Sequence, residues 1–495
     1  MPQTLALHSR YNPSGEAERY LDSLALEKSI GFFILIEPGM GYLSSCLRKK
    51  NPDSKIIALH AKALPEFIPE ENRPDASWFP GAEMSLRKFL EQEIPEIPAQ
   101  AVKVIEWRPA LTIFREAYCF LLSETVEFIK QNDASARTVK QFGQRWFRNF
   151  FKNLALLSNL IYPESFTFPI VITGAGPSLE DAIPLIRRER QDLLLMAVSS
   201  SVTAIKEGGL EPDIIVATDG GNWALLHLNE CFRGQGTETL CLAVSLSAAL
   251  PSQCNNAKLL LMSDGSLWQE LILSKLGIPF ITLPQRGTVS AAALDLAFVM
   301  TNNMVFLSGL DLSNKGIQTH ARPYSFDRIW EEKSRRFSPV YSQVFARSSL
   351  IRDGGSHNIY ASWFSRQLTA YPKRLRSLGA NNPVFRDLET SSINNHALKG
   401  GVLNSSARIK ISESEIQKPV WKIHTIGNNG ISVKEAALFL GAALNDPRYG
   451  AKLTEELGPV IGLSPQINPG KDKPNPDELG DSILSLTKAF WGLNG

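Results

Sequence analysis

Between Pro169 and Gly309 the chain repeats one pattern seven times, a short apolar run followed by a polar or glycine-rich break. The runs are PIVIT (169–173), LLLMAV (193–198), DIIVAT (213–218), TLCLAV (239–244), KLLLM (258–262), PFITL (279–283) and MVFLSG (304–309). Short, nearly continuous apolar runs are what parallel strands show when both of their faces are covered. Segments with helical spacing stand between several of them, such as SVTAIKEGG and VSAAALDLAFVMTNN. The pattern predicts a doubly wound, mostly parallel Rossmann-like α/β domain, with its ligands at the carboxyl ends of the strands.

The flanks read differently. GFFILI (31–36), a turn at Gly39-Met40-Gly41 and SKIIALHAK (54–62) predict a smaller Rossmann-like α/β domain at the N-terminus. A nucleotide site there would want an acid ending the second strand, where His60 stands, and no third glycine follows at the fingerprint spacing. We read the unit as a structural βαβ turn. From Leu111 to Leu160 the spacing turns helical, with aromatic residues interleaved with Lys140, Arg145, Arg148 and Lys152. We read this as an amphipathic packing helix rather than a nucleic-acid face. Past residue 325, Arg335, Arg336, Arg347 and Arg352 read as a solvated face. The stretch after Ile431 has a helix–turn–helix pattern, and Ser464 to Gly480 is a Pro/Asn/Lys-rich loop. The expected division is an N-terminal α/β domain with connecting helices (1–160), a central domain (161–365) and a mainly helical C-terminal region (366–495).

Composition narrows the classes. At 495 residues, 43% hydrophobic and 21% charged, the chain is an ordinary globular one with room for two or three domains. A net charge of +2 argues against wholesale nucleic-acid binding. The five cysteines are scattered with no Cys-x-x-Cys pair, which suits reduced, buried thiols. The first residues carry charges with no apolar core before them, and GFFILI is too short to span a bilayer. The expectation is a cytoplasmic protein without membrane insertion. No cluster of His, Asp and Glu suggests a metal, and none is expected.

The polar residues collect at the predicted strand ends: Gly174-Ala175-Gly176-Pro177-Ser178, Ser199-Ser200-Ser201, Asp219-Gly220-Gly221, Gln285-Arg286-Gly287-Thr288, and Gly309-Leu310-Asp311 with His320 further on. In the first of these, a glycine turn runs into a helix with Ser178 as N-cap and Asp181 at capping-box spacing. That combination makes an anion site from unpaired N–H groups and a positive dipole end. It is no Walker A loop, since no Gly-Lys-Ser/Thr follows. Nor is it an NAD fingerprint, because Leu179 stands where the third glycine belongs. A loop this short suits one phosphate and a nucleoside.

GAGPSL, AVSSS, EPDIIVATDGG, RGTVSAAALDLAF and LSGLDL…THA, in this order and spacing, resemble the motility accessory factors. These are flagellin-modifying glycosyltransferases that share a domain with 6-hydroxymethylpterin diphosphokinase-like proteins. The central domain is also similar to the bacterial CMP-sialic acid transferases, in the Gly-x-Gly-Pro-Ser-Leu opening and the Gly-x-Asp strand end. SRYNPSGEAERYL and EPGMGYL resemble the accessory factors' N-terminal domain, so the resemblance spans about residues 5–325.

It implies transfer of a nonulosonic (pseudaminic- or legionaminic-type) sugar from a CMP donor to Ser or Thr of flagellin, with no tightly bound cofactor. By position, Gly174, Gly176, Pro177 and Ser178 would line the donor phosphate and ribose. Ser199, Ser200, Thr288, Gly309 and Asp311 would hold the nucleoside, with Asp219 nearby. His320 would be the general base, and Arg286 would stabilise charge on the departing CMP or the sugar carboxylate. The chain departs from the pattern at Ser313, where the sialyltransferases carry a tyrosine. Lys315, Arg322 and Tyr324 stand as substitutes for its leaving-group role. It departs again in LETSSINNHALKGG (388–401), where the accessory factors show a Glu-Gly-Gly-like stretch. Two alternatives remain: a pterin-type diphosphokinase using ATP and Mg²⁺ held by Asp219 and Asp311, and a non-catalytic flagellin-binding chaperone.

Overall fold

The computed structural model describes residues 7–63, 68–95, 97–164, 168–232, 240–352, 355–371, 373–378, 421–426, 431–462 and 475–491. The stretch 388–401 and the first part of the Pro-rich loop lie outside them. The chain divides into two compact units, Met1–Gln144 with Ala443–Ser482, and Arg145–Ala442 with Ile483–Gly495.

In the first unit, β1 (Phe32–Ile36), β2 (Lys55–Leu59), β3 (Ala76–Trp78) and β4 (Val102–Glu106) form a parallel sheet of order β3-β2-β1-β4. All five residues of β1 are buried, as the run FFILI requires. The Gly39–Gly41 turn is filled by the protein itself. His8 Nε2 accepts from Met40 N at 3.1 Å, and a Cβ on Gly39 would strike Leu7 and His8. One on Gly41 would strike the carbonyl of Asn72. Both glycines have positive φ, +61° and +76°. His60 at the end of β2 is buried, its Nδ1 3.7 Å from Glu37 Oε1. These contacts favour the structural reading of the turn.

The second unit holds the sheet that the seven apolar runs predict, enlarged at both edges. Its strands are β5 (Asn159–Pro163), β6 (Ile170–Thr173), β7 (Leu194–Val198), β8 (Ile214–Ala217), β9 (Cys241–Ser245), β10 (Lys258–Ser263), β11 (Ile281–Thr282), β12 (Val305–Ser308), β13 (Leu375–Leu378) and β14 (Trp421–Thr425). The order is β13-β12-β6-β7-β8-β9-β10-β5-β14, with β11 beside β10. Every described pairing is parallel except β14 on β5. The fold class is α/β with a mostly parallel central sheet. β13 and β14 fall in the region expected to be mainly helical. RLRSL and WKIHT are too short and polar to read as strands, and they gain that character by pairing on sheet edges. Helices Val433–Ala443 and Gly450–Ile461 match the expected helix–turn–helix pattern.

The helix Arg115–Leu154 carries the chain from the first unit into the second. Its aromatic face is core: Phe147, Phe150 and Phe151 are fully buried, and Phe147 and Phe150 pack on Trp268 with ring centroids 5.3 and 4.8 Å away. Buried Asn153 donates to the carbonyls of Leu246 and Ala248, each at 2.7 Å. Cys231 and Cys254 are buried thiols, whereas Cys119 on this helix is exposed. No helix among the described residues is long and apolar enough to cross a membrane.

Candidate active site

From β6 the chain adds β7, β8, β9 and β10 in one direction, and β12 then lies on the other side of β6. The loops leaving β6 and β12 therefore diverge, and the crevice between their carboxyl ends is where an open parallel sheet binds its ligands. Gly174–Ser178 and Gly309–Asp311 face each other across it.

The glycines let these two loops touch. Gly174 N donates to Ser308 O and Gly176 N to Gly309 O, both at 2.7 Å. A Cβ on Gly174 would stand 2.5 Å from Gly309 O; one on Gly176 would stand 2.7 Å from the same oxygen and press on Asp311 Oδ2. Gly309 itself has a φ of +64°. Asp311, buried, accepts from Ser178 N at 2.8 Å. Burial pushes its carboxyl above the usual carboxylate range, with the Ser178 N–H pulling the other way. The carboxylate thus occupies the anion position at the start of the helix Leu179–Arg188, and the amides of Gly174, Gly176 and Ser178 are engaged within the fold. Pro177 has no amide, and its carbonyl accepts from Glu180 N at 3.3 Å.

The expected capping box is not formed. Ser178 sits at the N-cap with φ −66° and ψ −14°, and its side chain makes no cap bond. An N-cap hydroxyl reaches the second or third amide from an extended backbone, which Ser178 does not have. Its Oγ is buried against the Asp311 carboxyl, whose pKa it lowers together with the amide, and that of Ser308 at the end of β12 is buried without a hydrogen-bond partner. Buried hydroxyls are normally satisfied, and Ser308 is an exception at this crevice. Asp181 instead pairs with Lys315, at 3.2 Å.

The loop carrying His320 is stitched over the glycine loop. Ala321 N donates to Ala175 O at 2.8 Å. Glu180 Oε1 accepts from Gln318 Nε2 at 2.6 Å and from Arg322 N at 2.7 Å, bracketing His320 on both sides. Gln318 Nε2 also reaches the His320 carbonyl, at 2.9 Å. Sequence reasoning missed Glu180. Its place in the first helical turn after GAGPS was the available signal, but its partners lie 138 and 142 residues away.

Beyond His320 the loop crosses the ends of β6 and β7 towards the helix Ala224–Cys231 that follows β8. Thr203 and Ser325 hydroxyls meet at 2.9 Å, and Tyr324 Oη stands 3.5 Å from His227 Nε2. The His320 ring stacks on Tyr324 with centroids 4.0 Å apart at 13°, and its Nδ1 lies 2.9 Å from Thr319 Oγ1. A pocket here is lined by Thr319, His320, Arg322, Tyr324, Asp327 and Trp330 among others. Burial lowers the His227 pKa to about 4, against the opposing pull of Asp219, which keeps this ring neutral near pH 7.

The remaining expected residues have local partners. Ser199 is buried in a 3₁₀ turn over Ser199–Ser201, Ser200 is half-buried, and Ser201 Oγ ties the β6 and β7 ends through Thr173 O at 2.9 Å and Val198 O at 2.8 Å. Asp219 is exposed and accepts from Gly221 N at 2.7 Å. Thr288 caps the helix Val289–Met300 by accepting from Ala291 N at 3.1 Å. Arg286 pairs with Asp295 at 2.7 Å and lies over the Trp363 ring. No group of three or more His, Cys, Asp and Glu side chains among the described residues is placed to hold a metal ion.

Known proteins resemble this chain in three ways. Residues 144–316 match the family model for 6-hydroxymethylpterin diphosphokinase MptE-like domains. Three uncharacterized proteins of Treponema pallidum (strain Nichols) are related to it. The first is 27% identical over 62% of this chain and 68% of its own length, the second 27% over 52% and 46%, and the third 31% over 23% and 54%. The chain therefore spans about half to two thirds of these relatives. Among solved structures, the MAf glycosyltransferase from Magnetospirillum magneticum AMB-1 aligns with 94% of this chain and 74% of its own, at 12% identity and a TM-score of 0.46. The matched segment begins where the second unit does and contains the β6 and β12 loops, so the part of this chain that frames the crevice is similar to the MptE-like domains.

Proposed function

We propose that the second unit is a glycosyltransferase that moves a nonulosonic sugar from a CMP donor to a Ser or Thr hydroxyl of flagellin. One observation carries this reading: His320 is held by Glu180 and Ala175 beside the switch-point crevice of an MptE-like domain. The acceptor oxygen attacks the anomeric carbon, the bond from that carbon to the phosphate oxygen breaks, CMP leaves with the bonding pair, and His320 takes the hydroxyl proton. In the tautomer whose Nδ1–H donates to Thr319 Oγ1, 2.9 Å away, the lone pair for this step is on Nε2.

Asp311 suits the nucleoside better than the phosphate. A buried carboxylate repels a phosphate but accepts from ribose hydroxyls or an exocyclic amine. The Arg322 side of the pocket is then left for the phosphate. Arg286 would have to give up Asp295 to assist the leaving group, and Lys315 would have to give up Asp181, which favours Arg322 or Tyr324 in that role.

The likeness to 6-hydroxymethylpterin diphosphokinase MptE-like domains keeps the diphosphokinase as a second reading. Asp219 and Asp311 follow β8 and β12, three strand spacings apart, or about 14 Å at about 4.8 Å per strand. That is far for two ligands of one Mg²⁺, which sit about 2.1 Å from the ion. Isothermal titration separates the readings: the transferase should bind CMP at micromolar Kd without metal, and binding of ATP with Mg²⁺ alone would overturn it.

Glu180 should act as a positioning residue. Glu180→Ala is expected to lower the transfer rate by about 10²-fold through misplacement of His320, with a much smaller loss of CMP affinity, since Glu180 also holds the Arg322 amide. Glu180→Gln, whose carbonyl still accepts, should recover part of the rate. Equal loss of kcat and CMP binding in both variants would make the role merely structural.

A further inference from the structure

Rings form a continuous ladder from the pocket to the far end of the loop. Tyr324 stacks on His320, Phe326 lies 5.4 Å from Tyr324, and Trp223 lies 5.9 Å from Phe326. Trp330 packs on Tyr324 and Phe326 at 5.8 and 6.1 Å. The inner rings are half-buried, but Trp223 is 63% exposed. Trp223 follows the Asp219-Gly220-Gly221-Asn222 break after β8, so it stands three strands from the Asp311 loop. The exposed Lys333 holds its ammonium over the Trp223 ring, 5.8 Å from the centroid.

A tryptophan that closes a packed ring ladder yet leaves most of its own face to solvent offers apolar stacking surface beside a working site. A saturated sugar ring has an apolar C–H face that stacks on indole, and a sugar acid adds a carboxylate for the neighbouring ammonium. A nucleoside seated at Asp311 would send its sugar along the His320 loop towards β8, three strand spacings or about 14 Å away.

We infer that Trp223 and Lys333 form the subsite for the acidic sugar of the donor, the indole taking its C–H face and the ammonium its carboxylate, an assignment that rests on the transferase reading above. It makes these residues determinants of donor specificity, since a neutral sugar would gain the stacking without the charge contact.

The test is titration of wild type, Trp223→Ala and Lys333→Ala with CMP and with CMP–N-acetylneuraminic acid, which carries both the carboxylate and an apolar ring face. Wild type should bind the sugar nucleotide about tenfold more tightly than CMP, the size of one stacking contact plus one exposed ion pair. Trp223→Ala should erase most of that gain and Lys333→Ala part of it, while Kd for CMP stays within about twofold in both. A wild type that gains nothing from the sugar, or a Trp223→Ala protein that keeps the gain, overturns the subsite and leaves the transferase standing. Loss of CMP binding in Trp223→Ala would assign the ring to the base instead. No CMP binding by wild type would overturn the transferase reading and the subsite with it.

Discussion

His320→Ala is expected to lower sugar transfer by about 10²- to 10⁴-fold, the usual worth of a positioned general base. The ring is on the loop's inner side, stacked on Tyr324, and its removal leaves the Glu180 and Ala175 bonds to the loop backbone intact. The variant should therefore fold, melt close to wild type and bind CMP with the same affinity. Transfer is read with a CMP-sugar donor and purified flagellin, followed by intact mass of the acceptor. A chaperone that had merely kept the fold would show the same flagellin binding before and after the substitution and no mass shift with either protein. Full transfer by His320→Ala would remove the histidine from the mechanism.

Gly176→Ala should damage both the fold and the site of the second unit. The added Cβ meets Gly309 O at 2.7 Å and the Asp311 carboxylate, and neither is the free end of a flexible side chain. Forcing a methylene into such a contact costs about 1–3 kcal/mol, and it would also push apart the two loops that frame the crevice. We expect a lower melting temperature and loss of CMP binding. Asp311→Ala removes one of the two collisions and also a bond to the Ser178 amide. In a double-mutant cycle the two changes should therefore be less than additive by about 0.5–3 kcal/mol. Strict additivity would mean that the carboxylate does not rest against Gly176.

Much of the site's location was legible in one dimension. Six of the seven apolar runs are strands whose residues are largely buried on both faces, so their own composition announces them, while PFITL forms only the two-residue β11 with Thr282 exposed. The glycine and serine breaks mark the carboxyl ends for the same reason: the backbone there must turn. What those breaks do was less legible. The GAGPS turn reads as a phosphate cradle, yet in the fold its amides serve Ser308, Gly309 and Asp311. Thr288 reads as a nucleoside contact and caps a helix. Arg286 reads as a charge stabiliser and already has Asp295. In each case a nearby or facing group satisfies the residue, and its identity depends on which strands are neighbours.

The sequence by itself determined the α/β class, the parallel sheet and the likeness of residues 144–316 to MptE-like domains, because these follow from burial patterns and short motifs carried by contiguous residues. Only the tertiary structure decided that β12 lies beside β6 and that Asp311 sits at the start of the helix after GAGPS. It alone decided that Glu180 grips both sides of His320, and that the rings run out to Trp223. Those contacts join residues more than a hundred positions apart along the chain. Nothing local in either partner encodes them; they exist because the sheet order brings two loops to one crevice.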